Sequence, residues 1–149
     1  MDAIDRLLLN EIQRNFPIAR RPFLALARRM HLKEKEVLER VLRLKENGII
    51  RRIGASFSSH AVGWSSTLCA VSVPPKKIAE FVTVVNTYPG VTHNYEREGK
   101  YNIWFTLIAP SRERIDQILS EISRKTGVGQ MLNLPAIKIF KIAVDFNFD

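Results

Sequence analysis

The stretch Val91–Phe105, VTHNYEREGKYNIWF, brings an imidazole, a phenol, a guanidinium, an ammonium and an indole together around one predicted turn. Alternation along a strand sends every second side chain to the same face, so His93, Tyr95 and Arg97 share one side. Lys100 marks the turn, and Asn102 and Trp104 follow on the returning strand. An imidazole titrates near neutrality and exchanges protons there, and a guanidinium grips carboxylates in bidentate geometry. Tyr95 and Trp104 add flat apolar surface. Such a surface suits a large, flat, polyanionic ligand. The competing reading needs no ligand: His93 and Tyr95 are then half-buried strand residues satisfied by their neighbours, and Arg97 is solvated.

The elements that must position these residues read from the apolar periodicity. Ile4, Leu7, Leu8 and Ile12 recur at helical spacing behind Asp2 as N-cap, which predicts a helix over Ala3–Asn15. Pro17 and Pro22 break it, and Pro22 suits the first position of a second helix carrying Phe23, Leu24 and Leu26 toward Met30. A third helix is expected over Lys33–Asn47, with Val37, Leu38, Val41 and Leu42 as its stripe and Gly48 as its cap. With a β-rich stretch Ile49–Phe57 behind it, the pattern is a winged helix-turn-helix.

The second half changes period. Thr67–Val73 reads as a strand, and Lys77–Asn86 as a helix turning Ile78, Phe81, Val82 and Val85 inward. Pro89-Gly90 closes that unit. Strands Val91–Arg97 and Tyr101–Ile108 follow, joined at Glu98-Gly99-Lys100, then a helix from Ser111, its N-cap, to Lys125, and a last strand over Ala136–Phe146. The order βαββαβ is the ferredoxin-like split, with both helices on one face of a four-stranded antiparallel sheet. The expected class is therefore α+β, with domains over residues 1–60 and 61–149. The other face of the sheet needs a cover, and the alternation Ile137, Ile139, Lys141 argues for a partner subunit.

Composition narrows the classes. The 149 residues are 46% hydrophobic, enough for a real core. No apolar run approaches the roughly 20 residues that span a bilayer. The start carries Asp2, Asp5 and Arg6 where a signal peptide would be apolar, so a cytoplasmic protein is expected. Lone Cys69 sits in an apolar run without metal-ligand spacing and is expected to be a packed thiol. Of the net +8 charge, residues 1–60 hold 13 Lys and Arg against 7 Asp and Glu. A basic first part suits nucleic acid, an acidic partner or a small polyanion.

Ile4-Asp5-Arg6-Leu7-Leu8-Leu9-Asn10-Glu11-Ile12-Gln13 and the run Leu38–Ile50 resemble the first helix and the recognition helix of the Lrp/AsnC regulators, over almost the whole chain. Two features depart from those regulators. Their acidic Gly-Asp tip is replaced by Glu98-Gly99-Lys100-Tyr101-Asn102, and Lys33-Glu34-Lys35-Glu36 sets carboxylates where a recognition helix meets phosphate. Arg51-Arg52-Ile53-Gly54-Ala55, Pro89–Tyr95 and Tyr101–Phe105 together resemble the sirohaem decarboxylases, enzymes built on that fold. The resemblance implies loss of the acetate carboxyls at C12 and C18 of sirohaem, giving 12,18-didecarboxysirohaem on a haem or haem d1 route. It also implies a complex of two homologous subunits.

On that footing Arg51, Arg52, Arg97 and Lys100 are candidate carboxylate clamps, with Asn102, Tyr95 and Trp104 around the macrocycle; solvated side chains, or a Trp104 packed in the core, are the alternatives. His93 is the candidate proton donor, or equally a ligand to the substrate's iron. His60, in the linker, is the reserve. No cofactor is expected, the iron belonging to the substrate. A DNA-binding regulator and a non-catalytic tetrapyrrole-binding subunit are the other readings.

Overall fold

The computed structural model describes residues 1–142 and 146–148. The chain forms two compact units, one of Met1–Ala55 together with the described residues of 141–149, the other of Ser56–Phe140. The carboxyl-terminal residues expected in the second domain thus group with the first.

In the first unit α1 spans Ala3–Asn15, α2 Pro22–Arg29 and α3 Glu34–Glu46. Asp2 caps α1 in a reciprocal box: the Asp5 amide donates to the Asp2 carboxylate and the Asp2 amide to that of Asp5. Pro22 opens α2, where its missing N–H costs nothing. Leu8, Leu26, Ala27, Val37 and Leu44 form the core between the helices. The carboxyl-terminal segment joins this unit through Gln13, whose side-chain amide donates to the Phe146 carbonyl (2.5 Å) and accepts from its amide (3.1 Å).

The β-rich wing expected over Ile49–Phe57 is corrected: no strand forms there. The Ile49 and Ile50 amides donate back to the Leu44 carbonyl, holding the chain at the end of α3, and residues 51–57 are exposed with no strand to pair against.

The second unit comprises β1 Ser65–Val71, a single 3-10 turn Pro75–Lys77, α4 Ile78–Asn86, β2 Val91–Glu96, β3 Ile103–Ala109, α5 Arg112–Thr126 and β4 Leu132–Leu134. The antiparallel sheet has the order β2-β3-β1-β4. Ser111 caps α5 as expected, accepting from the Arg114 amide. Ile103, Phe105 and Leu107 of β3 and Cys69 and Val71 of β1 are buried in one cluster with Phe81 and Val85 of α4 and Ile118 and Ile122 of α5. Trp104, Thr106 and Ile108 alternate with the buried residues of β3 and are only partly covered. They lie on the open face of the sheet.

The last strand is also corrected. Pairing with β1 stops at Leu134, because Pro135 follows without an N–H to continue the ladder, and Ala136–Ile142 carries no strand. Ile137 and Ile139 keep their alternating pattern but are exposed. Residues 143–145 of that expectation lie outside the described residues.

Candidate functional site

What aims the candidate residues is a β-bulge at the start of β2. Val91 pairs with Leu107 and His93 with Thr106, so Thr92 is an extra residue with no opposite number. Val91 packs against the core beside buried Leu107. Two residues later a regular strand would return to that same face, but the inserted Thr92 turns His93 to the face of Thr106. Tyr95 then pairs with Trp104 on the same open side. Gly90 makes the approach possible: a Cβ there would lie 2.1 Å from the Ile108 carbonyl oxygen, and the Gly90 carbonyl accepts from the Ile108 amide at 2.9 Å.

On that face three side chains form a ladder. The imidazole of His93 stacks on the ring of Tyr95 with centroids 6.0 Å apart and planes 26° from parallel, and the guanidinium carbon of Arg97 lies 5.9 Å from the same ring's centroid. The three line a cavity of about 330 Å³ with Leu68, Trp104, Phe105 and Thr106. The indole N–H of Trp104 donates to the Tyr101 carbonyl at 2.7 Å, so its polar edge is satisfied and its ring serves as a fixed wall. The Nδ1 of His93 lies 3.1 Å from the Thr92 hydroxyl. The strand thus sets an imidazole, a phenol ring and a guanidinium in one row beside the cavity.

The other candidates separate from this group. Asn102 is used structurally: its side chain accepts from the Val73 amide at 2.8 Å and donates to the Val73 carbonyl at 2.9 Å, tying the start of β3 to the end of β1. One N–H and one lone pair of that amide stay unused by these two bonds, so Asn102 holds β3 to the end of β1 and is still a candidate for substrate binding. Lys100 is exposed near the hairpin tip with its ammonium 5.5 Å from the centroid of Tyr101. Arg51 and Arg52 are exposed on the first unit. His60 lines a different cavity of about 300 Å³, with Trp64, Arg112, Asp116 and Asn133 among its walls.

A cluster not anticipated from the sequence lies in the first unit. Asp5, only 1% exposed, accepts from Arg40 and Arg43 at 2.8 Å each, and Arg40 also meets Asp2 and Glu36. Burial pushes the Asp5 carboxyl up, but the Asp2 amide and the Arg40 guanidinium outweigh it and hold the group below its ordinary value. The same contacts hold Arg40 protonated. Helical spacing of Arg40 and Arg43 against a capping Asp5 was the available signal. Cys69 is buried, and desolvation raises its thiol to about 12, which leaves it inert. Among the described residues no group of three or more His, Cys, Asp or Glu side chains is gathered as a metal site, and no helix is long and apolar enough to cross a membrane.

Residues 61–141 match the family model of the AsnC-like ligand binding domain, and residues 5–51 that of the Siroheme decarboxylase NirDL-like HTH domain. The siroheme decarboxylase alpha subunit of Desulfovibrio desulfuricans is 56% identical over 149 residues, covering 100% of this chain and 86% of the relative. That of Nitratidesulfovibrio vulgaris is 50% identical, covering 100% and 84%. The crystal structure of the siroheme decarboxylase NirDL with an iron-uroporphyrin III analogue superposes with a TM-score of 0.68 at 30% identity, over 96% of this chain and 48% of that one. Escherichia coli AsnC superposes with a TM-score of 0.82 at 18% identity, over 97% of each chain, a likeness of fold. With matching models in both halves and relatives aligned over its full length, the chain belongs to the sirohaem decarboxylase family, on the Lrp/AsnC fold.

Proposed function

We propose that this chain is a sirohaem decarboxylase subunit that receives an acetate-bearing edge of sirohaem on the open face of its sheet, with His93 as the proton donor. The observation that carries the reading is the row His93–Tyr95–Arg97 lining one cavity with Trp104. About 330 Å³ is at the small end of ligand pockets and takes a pyrrole ring with its side chain, while the remainder of the macrocycle needs further walls. A homologous partner subunit supplies them in this reading, which the subunit names of the relatives favour.

The chemistry needs a sink for the electron pair released with carbon dioxide. In this reading the imidazolium of His93 gives its proton to a pyrrole carbon, making the ring electron-poor. The bond between the acetate methylene and its carboxylate then breaks, its electrons form an exocyclic double bond to the ring, and carbon dioxide leaves. A proton added to the exocyclic carbon and one lost from the ring carbon restore the ring and leave a methyl group. The sum is one proton consumed and one carboxylate released as carbon dioxide, so no redox cofactor enters. Arg97 holds a carboxylate in bidentate geometry, Tyr95 and Trp104 pack against the macrocycle, and Arg51, Arg52 and Lys100 meet peripheral carboxylates. Removal of both the C12 and C18 acetate carboxyls gives 12,18-didecarboxysirohaem. Iron ligation by His93 is the competing role for the same side chain.

The DNA-binding alternative is disfavoured by the recognition-helix cations: Arg40 and Arg43 are held by Asp5, and Lys35 pairs with Glu39. An anaerobic turnover assay with sirohaem, with and without a co-purified homologous subunit, tests the reading. Loss of carboxylates with the pair present is expected. Tight, steeply salt-dependent duplex binding without any sirohaem turnover would contradict it.

A further inference from the structure

The same bulge that turns His93 outward leaves Thr92 in contact with it. In a regular strand, neighbours i and i+1 point to opposite faces and their side chains do not meet. Here Thr92 is the inserted residue, and its hydroxyl oxygen lies 3.1 Å from His93 Nδ1. Among the described residues the ring has no other hydrogen-bond partner, and it stacks on Tyr95 with the two planes 26° apart. One nitrogen is therefore held by the strand and the other, Nε2, is left to face a ligand.

We propose that Thr92 is the positioning residue for His93: its hydroxyl oxygen accepts the Nδ1–H, so that proton exchange with the substrate takes place at Nε2. This rests on the reading of His93 as proton donor. In the imidazolium both nitrogens carry hydrogen, so a hydroxyl facing Nδ1 accepts. When Nε2 gives its proton to the pyrrole carbon, the Nδ1–H stays on Thr92 and the ring becomes the Nδ1–H tautomer with a free lone pair at Nε2. That lone pair is then aimed where the proton came from and can take up the one the ring carbon later loses. Which nitrogen of a histidine does chemistry is set by what the other one bonds, and a valine at position 92 would remove that control while keeping a β-branched shape.

Nitrogen-15 NMR of the full chain labelled at histidine, with His93→Ala to assign the signal among His31, His60 and His93, reads the tautomer without turnover. Neutral His93 is expected to be mainly the Nδ1–H form in the wild type and in Thr92→Ser, and to revert to the Nε2–H form in Thr92→Val. In the co-purified complex Thr92→Val is expected to lose about ten- to a hundredfold in kcat with little change in KM, with rescue by Thr92→Ser. An Nε2–H form in the wild type, or tautomer and kcat both unchanged in Thr92→Val, overturns the assignment of Thr92. Wild-type turnover by His93→Ala instead overturns the underlying reading of His93.

Discussion

At the scale of single residues, the row on β2 and the ion-pair cluster around Asp5 stand in different units. The row His93, Tyr95 and Arg97 was legible because alternation in a strand is a strong local rule, and the three do share a face. The bridge from Asn102 to Val73 was not, because nothing local announces that its amide will reach across the sheet. Asp5 was legible only as part of the opening helix; its burial depends on α3 delivering Arg40 and Arg43. Because the folded Asp5 carboxyl titrates below its unfolded value, its stabilisation is present above the ordinary carboxylate pKa and is lost as pH falls through the folded one. Acid unfolding of the first unit below about pH 4 is therefore expected in a circular-dichroism titration. Asp5→Asn is expected to cost about 2 kcal/mol at neutral pH, since Arg40 keeps Asp2 and Glu36, and to flatten that acid limb. An unchanged melting curve and acid limb would reduce the cluster to a surface contact.

At the scale of elements, the helices were read almost to their ends because caps and apolar stripes coincide: Asp2 and Pro22 stand where α1 and α2 begin. Two strand expectations failed for one reason. Ile49–Phe57 is β-rich and Ala136–Ile142 carries strand-like alternation, but a strand exists only where a neighbour completes its hydrogen bonds, and that neighbour is not written in the segment itself. The bulge escaped notice because Thr92 has no glycine or proline signature. Gly90 is where this part of the fold has least tolerance. Gly90→Ala drives a Cβ into the Ile108 carbonyl and strains the adjoining bond, with an expected cost of about 3 kcal/mol. Its chemical denaturation midpoint should fall, and sirohaem turnover in the complex should fall with it because β2 carries His93. A wild-type midpoint would mean that the hairpin yields without cost.

At the scale of the whole molecule, the chain is two compact units, and the cavity with the candidate catalytic row belongs to the second. The excess positive charge of residues 1–60 was visible in the sequence; which cations stay available was not, since ion pairing depends on tertiary neighbours. Arg40 and Arg43 are engaged, whereas Arg51 and Arg52 are exposed. If these two hold peripheral carboxylates, their joint replacement by Ala should weaken sirohaem binding more than it slows the chemical step. Each charged contact is worth about 1.5–3 kcal/mol, or roughly ten- to a hundredfold in affinity. Unchanged binding at physiological salt would return them to a solvated surface.

The central claim is that proton donation from His93 drives the loss of carbon dioxide. The most direct measurement is a paired binding titration and anaerobic single-turnover experiment on His93→Ala in the co-purified complex. Sirohaem is expected to bind with an unchanged absorption spectrum while the decarboxylation rate falls about 10²- to 10⁴-fold, the span for removing a general acid. A shifted spectrum with affinity and rate falling together would make His93 an iron ligand instead, and wild-type turnover with a wild-type spectrum would contradict both roles.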